Sequence, residues 1–286
     1  MESEKRQSVS LFLFMSVFAL TLAARPLLAK AKGPEGVTAI VSDLDDTIRI
    51  SNSADKLKVG FNGLFTKKVF TGMATLVDEV LATNGSARLE PTTQDQDLFH
   101  VLSNSPRFLM GIVKSLLNQF NYPKRTVHLR SWLTERNKIA FKTKELKSIA
   151  DDLPQNSSLL LWGDNVEYDP LVYTNFQTKN PTRVYDIYIR RVRREKPASK
   201  SVKLFYTAFD IAYSEVKAKR LKVESALKVA HDILKETRFS NIIPDFAVCP
   251  TEPPSEIYNL KDLATQDPKL IRTAARIWGK ILKTCR

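Results

Sequence analysis

Histidine, cysteine and glycine are all scarce in this 286-residue chain, and each scarcity removes a class of function. The three histidines, His100, His128 and His231, lie far apart, and the two cysteines, Cys249 and Cys285, are not paired at short range. No zinc-site spacing can be drawn from them. His100 and His128 fall inside apolar runs, where a packed, neutral ring is the expected role. The nine glycines form no G-x-G-x-x-G or P-loop pattern, so no glycine-rich nucleotide cradle is present. There is no internal repeat and no low-complexity tract, which sets aside solenoids and disordered arrays. Beyond the first two dozen residues no segment has the roughly 20 apolar residues that a membrane-spanning helix needs.

What is present begins with a leader. Lys5 and Arg6 precede the apolar stretch Val9–Ala24, and Ala29-Lys30-Ala31 follows as a small-residue cleavage site. Residues 1–31 are therefore expected to be a cleaved signal peptide, with a periplasmic or secreted mature chain. The formal charge is +13, of which the leader's four bases and two acids carry a net +2, leaving +11. Such a surplus favours anionic partners: an anionic membrane surface, a phosphorylated substrate or, less favoured, nucleic acid. Its densest run is Arg190-Arg191-Val192-Arg193-Arg194-Glu195-Lys196, which reads equally well as a solvated edge or a binding surface.

The chemistry is concentrated at the ends of apolar runs. Ile40-Val41-Ser42 runs directly into Asp43-Leu44-Asp45-Asp46-Thr47. Clustered carboxylates at a strand tip are costly unless a cation or a proton offsets them, and a hard divalent cation such as magnesium suits oxygen ligands. An exposed acidic turn is the alternative for that segment alone. A second run, Phe99–Leu102, ends in Ser103-Asn104-Ser105-Pro106, with Ser105 a candidate N-cap for a helix opening at Pro106. A third, Leu159–Trp162, ends in Gly163-Asp164, with Asp169 just beyond. Between them a helical segment carries Lys142, Lys144 and Lys147.

The order of these pieces resembles the four motifs of the haloacid dehalogenase superfamily of phosphohydrolases. Further matches narrow the resemblance: Phe70-Thr71-Gly72-Met73, Leu129-Arg130, Asp169-Pro170-Leu171-Val172-Tyr173 and Ile187-Tyr188-Ile189-Arg190. Together they resemble the catalytic domain of the actin-patch-type phosphatidate phosphatases, over about residues 36–195. The resemblance implies a phosphoric monoester hydrolase that converts phosphatidate to diacylglycerol with magnesium. It implies Asp43 as nucleophile, Asp45 as general acid and base, and Ser103 and Lys142 as phosphoryl ligands, with Lys144 the fallback lysine. Metal ligands would be Asp43, the Asp45 carbonyl, Asp164 and Asp169, with Asn165 bonding nearby. Thr47 would stabilise the turn after the nucleophile. The alternatives are an exported phosphatase for soluble or nucleic-acid phosphomonoesters, and an inactive basic binding protein on the same fold.

Strand-like runs at 37–43, 98–103, 126–129, 157–162 and 183–189 alternate with helix-like runs at 72–82, 107–120, 137–151 and 170–177. The pattern predicts an α/β, Rossmann-like parallel sheet with helices on both faces. The segment 48–70 is too short for a large cap and is expected to be a small flap, with Phe61, Leu64 and Phe65 as its apolar contacts. Residues 84–96 are polar and loop-like. From Ser201 the spacing of Phe205, Phe209, Ala212 and Val216 predicts a helix, so residues 196–286 are expected to be a helical C-terminal extension packed on the catalytic domain. Further helices are expected at Leu227–Leu234 and Lys269–Lys283. An even pair of cysteines in an oxidising compartment predicts a Cys249–Cys285 bridge.

Overall fold

The alternating pattern resolves into six parallel strands and seven α-helices in a computed structural model that describes residues 37–53, 67–83, 97–195, 199–259 and 266–285. The leader, the loop 84–96 and the flap residues Phe61, Leu64 and Phe65 lie outside the described residues. In chain order the elements are β1 (Thr38–Ser42), α1 (Met73–Ala82), β2 (Phe99–Pro106), α2 (Met110–Gln119), β3 (Thr126–Arg130) and α3 (Lys138–Asp152). There follow β4 (Ser158–Asp164), α4 (Asp169–Lys179), β5 (Val184–Arg190), β6 (Val202–Phe205), α5 (Ala208–Lys217), α6 (Val223–Lys235) and α7 (Pro268–Thr284).

The sheet order is β3-β2-β1-β4-β5-β6, every pairing parallel. Sequence direction reverses between β1 and β4, the switch point where open α/β sheets leave a crevice at the carboxyl ends of their strands. Strand β1 shows why both faces close. Successive side chains point to opposite faces. Ile40 enters a core shared with α1, α2, α5, α6 and α7, while Ala39 and Val41 enter a second core under α3 and α4. An apolar residue at each consecutive position therefore needs cover on both sides. Among the described residues, no helix is long and apolar enough to cross a membrane.

The helix expected from Ser201 begins seven residues later. Val202–Phe205 is instead the sixth strand, paired with β5 from Ile187↔Val202 to Arg190↔Phe205. The open edge of β5 claims this segment, and Asp210 then defines the helix start by accepting the N–H groups of Tyr206 (2.9 Å) and Thr207 (2.8 Å). That reciprocal arm of a capping box was legible in Thr207-x-x-Asp210. The chain past residue 195 thus completes the sheet as well as adding helices. Gly72, at φ +84°, starts α1 where a Cβ would press on Ala208 and Val229 at 3.3 Å. Cys249 and Cys285 are disulfide-bonded with Cα atoms 5.4 Å apart, tying the end of α7 back to the loop after α6.

Candidate active site

Asp43 leaves β1 and Asp164 ends β4, so the topological switch point places them side by side. The backbone N–H of Asp43 donates to the Trp162 carbonyl at 2.8 Å, locking the turn after β1 to β4. Asp169 opens α4 beneath Gly163, and its carboxylate accepts the Asp164 N–H at 3.3 Å. Carboxylate oxygens of Asp43, Asp164 and Asp169 lie within 4.8 Å of one another, and all three side chains are buried. Lys142 reaches them from α3. Its Nζ donates to Asp43 Oδ1 at 2.7 Å and also contacts Asp169 Oδ1. Lys144, two residues on, is 72% exposed in its side chain and faces Glu135 and Glu145. Two helical residues span about 200°, which sends these lysines to different faces.

Burial dominates the electrostatics. It raises the carboxyl of Asp43 well above the usual range, with Lys142 opposing and Asp169 and Asp45 reinforcing the shift. Asp164 is raised well above it too, by burial and then by Asp169 and Asp43. Burial likewise raises Asp169 against the pull of Lys142. For Lys142 burial disfavours the ammonium, but Asp169 and Asp43 more than offset it and hold its pKa well above normal. One buried cation therefore faces three buried acids, and the excess of hard oxygen donors fits a small divalent cation.

Asp45 is held differently. Arg49, itself buried, donates from Nε to Asp45 Oδ1 at 2.9 Å and from a second nitrogen to the same oxygen, while Ser105 Oγ donates to Oδ2 at 2.7 Å. The expectation that Ser105 caps a helix is therefore corrected: β2 runs to Pro106, and α2 starts only at Met110 after a 3-10 turn. A register shift between Ser103 and Pro106 bulges the end of β2 at the site. Ser103 is buried, and its Oγ accepts the Ser105 N–H at 3.0 Å.

Thr47 is expected to steady the turn, but its buried hydroxyl has no hydrogen-bond partner among the described residues. Asp46, at φ +59°, does that work: its carboxylate accepts Ser51 N, Ser51 Oγ, Asn52 N and Ser53 N at 2.6–3.1 Å. A carboxylate offers several lone pairs to converging N–H groups, whereas a hydroxyl offers fewer. Arg190, read as one of a basic run, is fully interior. Its guanidinium lies between Phe70 (3.6 Å) and Phe205 (4.6 Å) and donates to the carbonyls of Tyr206 and Thr47, pinning the turn after β1 to the segment that follows β6. Burial pulls its pKa down to about 9.

Asn165 does not turn to the carboxylates. It accepts from Val192 N and Arg193 N and donates to the carbonyls of Arg193 and Glu195, organising the arginine-rich loop. His100 and His128, unrelated in sequence, meet on neighbouring strands with Nδ1 and Nε2 3.3 Å apart, and His128 reaches Glu145 at 3.0 Å. Burial, then His128, lowers His100 to about 4, so its ring is neutral. Sequence reasoning missed Arg49, Asp46, Ser105 as a ligand of Asp45, and Arg190. The only signal available for Arg190 was its place at a strand end in the Ile-Tyr-Ile-Arg motif.

The family model described as phosphatidate phosphatase APP1, catalytic domain, matches residues 38–191, more than half of the chain. The match starts at β1 and ends one residue past β5, so it contains Asp43, Asp45, Asp46, Asp164 and Asp169. No curated protein and no solved structure matches the chain.

Proposed function

This chain belongs to the family of the phosphatidate phosphatase APP1 catalytic domain, a phosphatase of the phosphoric monoester hydrolase class, and from that premise we propose that it hydrolyses phosphatidate with Asp43 as nucleophile and magnesium as cofactor. The observation that carries this reading is the meeting of Asp43, Asp164 and Asp169 with Lys142 at the switch point of the sheet. Asp164, Asp169, Asp43 and the Asp45 carbonyl would hold the ion. When bound, magnesium supplies the charge that lets an anionic nucleophile approach a phosphate dianion.

The chain's own residues account for the rest. Asp43 attacks phosphorus and forms an aspartyl-phosphate as the diacylglycerol oxygen leaves with a proton from Asp45. Water then attacks phosphorus, giving its proton to Asp45 and freeing Asp43 and inorganic phosphate. Ser103 and Lys142 stabilise the phosphoryl oxygens as charge shifts onto them. Arg49 and Ser105 orient the Asp45 carboxylate between these steps. Export to an oxidising compartment is part of the proposal, and the Cys249–Cys285 bridge supports it.

The test is Asp43→Asn, with phosphatidate in detergent micelles set against nucleotides, sugar phosphates and 3′-phosphorylated oligonucleotides, with and without magnesium. Turnover should vanish in the variant, stop on chelation, and favour phosphatidate by kcat/KM. Unchanged hydrolysis by a verified Asp43→Asn preparation would refute the mechanism. A better nucleotide or oligonucleotide substrate would refute the lipid assignment.

A further inference from the structure

The large apolar side chains left exposed are not scattered. Among the described residues they are Phe108, Ile112, Trp132, Leu133, Tyr168, Leu171 and Tyr185. Tyr185 lies early in β5 and is covered by the Arg220 guanidinium, 5.0 Å above its ring. The other six all lie in segments that leave the carboxyl ends of β2, β3 and β4. In a parallel sheet those ends share one edge, and it is the edge that carries Asp43 and Asp164.

Phe108 and Ile112 stand one turn apart at the entry to α2. Phe108 packs edge-on against Trp132 with ring centroids 5.9 Å apart, and Leu133, 88% exposed, follows. Tyr168 and Leu171 flank Asp169 where α4 begins. Isolated exposed apolar residues are ordinary, but a grouped set on one functional edge marks a docking surface. Its charge is also one-sided. Arg107 and Arg136 are exposed beside the aromatic pair. The nearby acids are each paired with a lysine, Glu135 with Lys144 at 3.6 Å and Glu167 with Lys138 at 2.8 Å, so the arginines carry the net charge.

We propose that this edge is the surface by which the protein docks on an anionic lipid bilayer, with Phe108, Trp132 and Leu133 entering the interfacial layer and Arg107 and Arg136 meeting headgroup phosphates. Aromatic rings and a bare leucine beside arginines are the composition that partitions into that layer, where each residue can keep its polar part wet. Anionic headgroups complement the arginines and the net charge of +11 that the chain carries without its leader. Docking in this orientation brings the carboxylate cluster to face the membrane, so that a lipid phosphate reaches Asp43 without leaving the bilayer. The inference rests on the lipid-phosphate reading of the site.

Trp132 is its own reporter. Of the three tryptophans, Trp162 and Trp278 are buried and Trp132 is 52% exposed. Vesicles of phosphatidylcholine with phosphatidylserine, free of phosphatidate, should shift Trp132 emission to the blue, and brominated acyl chains should quench it. The double variant Trp132→Ser/Leu133→Ser should partition onto the same vesicles at least about tenfold more weakly, since it exchanges two large apolar side chains for small polar ones. It should also hydrolyse phosphatidate more slowly in vesicles, while keeping wild-type turnover of short-chain, monomeric phosphatidate. Arg107→Gln/Arg136→Gln should weaken binding most at low salt.

Wild-type protein that does not bind these vesicles, or a serine variant that binds them as well as wild type, overturns the docking surface. Equal losses on monomeric and vesicular substrate also overturn it, because the side chains would then belong to the site. A wild-type enzyme that binds vesicles but hydrolyses no form of phosphatidate overturns the lipid-phosphate reading instead.

Discussion

Gly163 offers a test of the catalytic cluster that touches no ionisable group. It sits in β4 directly over Asp169, and a Cβ added there would lie 2.6 Å from both the Cβ and the Oδ2 of Asp169, and 2.9 Å from its Cγ. Ordinary contact begins at 3.4 Å, so about 0.8 Å must be found. Rotating the Asp169 side chain moves its oxygens but not its Cβ, which is fixed to the first residue of α4. The helix or the strand must therefore shift, and the carboxylate shifts with it. A misplacement of roughly 1 Å at a catalytic group costs about 100-fold in rate. Overpacking of a core typically costs about 1–3 kcal/mol. Gly163→Ala should thus lower kcat/KM about 100-fold on phosphatidate micelles at saturating magnesium, while urea unfolding stays cooperative with a loss of about 1–3 kcal/mol. Gly279→Ala is the control. It lies in α7 with nothing within 4 Å of the added methyl, and it should be neutral or stabilising by up to about 1 kcal/mol, with full activity. A folded Gly163→Ala enzyme within about threefold of the parent rate would mean that the position of Asp169 does not matter to catalysis, and the reading of the cluster would fail.

Lys142→Met should reduce turnover by about 100-fold or more through loss of a charge on the phosphoryl oxygens, whereas Lys144→Met, at an exposed side chain, should change it little; equal effects in a kinetic comparison would contradict the assignment. Reducing the Cys249–Cys285 bridge, whose cysteines are 36 residues apart, should lower stability by about 3–4 kcal/mol in the chain-entropy model while leaving activity on the folded protein, as read by thermal melts and assays with and without reductant. His100 should make the fold acid-sensitive. Its folded pKa is depressed to about 4 from 6.5, so in that window the unfolded chain binds a proton that the folded chain refuses, and stability is complete above the window and falls as pH drops through it. At pH 5 the loss is about 2 kcal/mol, and denaturation series should show His100→Asn flattening that slope.

Much of the site was legible because its chemistry lies at strand ends, where an apolar run stops and the next side chains enter a crevice. Asp43, Ser103 and Asp164 each follow that rule, and the order of the segments carried the family. Lys142 could also have been separated from Lys144 by helical phase. Lys142, Leu146, Ile149 and Leu153 fall at i, i+4, i+7 and i+11, and all four are buried, while Lys144 lies off that stripe. The register of the apolar stripe was the available signal. The sixth strand was not legible by the same means, because Val202–Phe205 is short and matches a helical stripe just as well; only the vacant edge of β5 distinguishes the two.

Sequence alone determined the sheet class, the acids at the switch point and the cysteine pair, because local periodicity and motif order are properties of neighbours along the chain. Only tertiary structure decided that Arg49 and Ser105 hold Asp45, that Asp46 rather than Thr47 secures the turn after β1, and that Arg190 lies between two phenylalanine rings. It alone also decided that the exposed aromatics gather on the catalytic edge. Each of these depends on which distant groups converge on one point. A buried charge accepts whatever partner the packed chain brings within hydrogen-bond reach, and spacing along the sequence does not encode that distance.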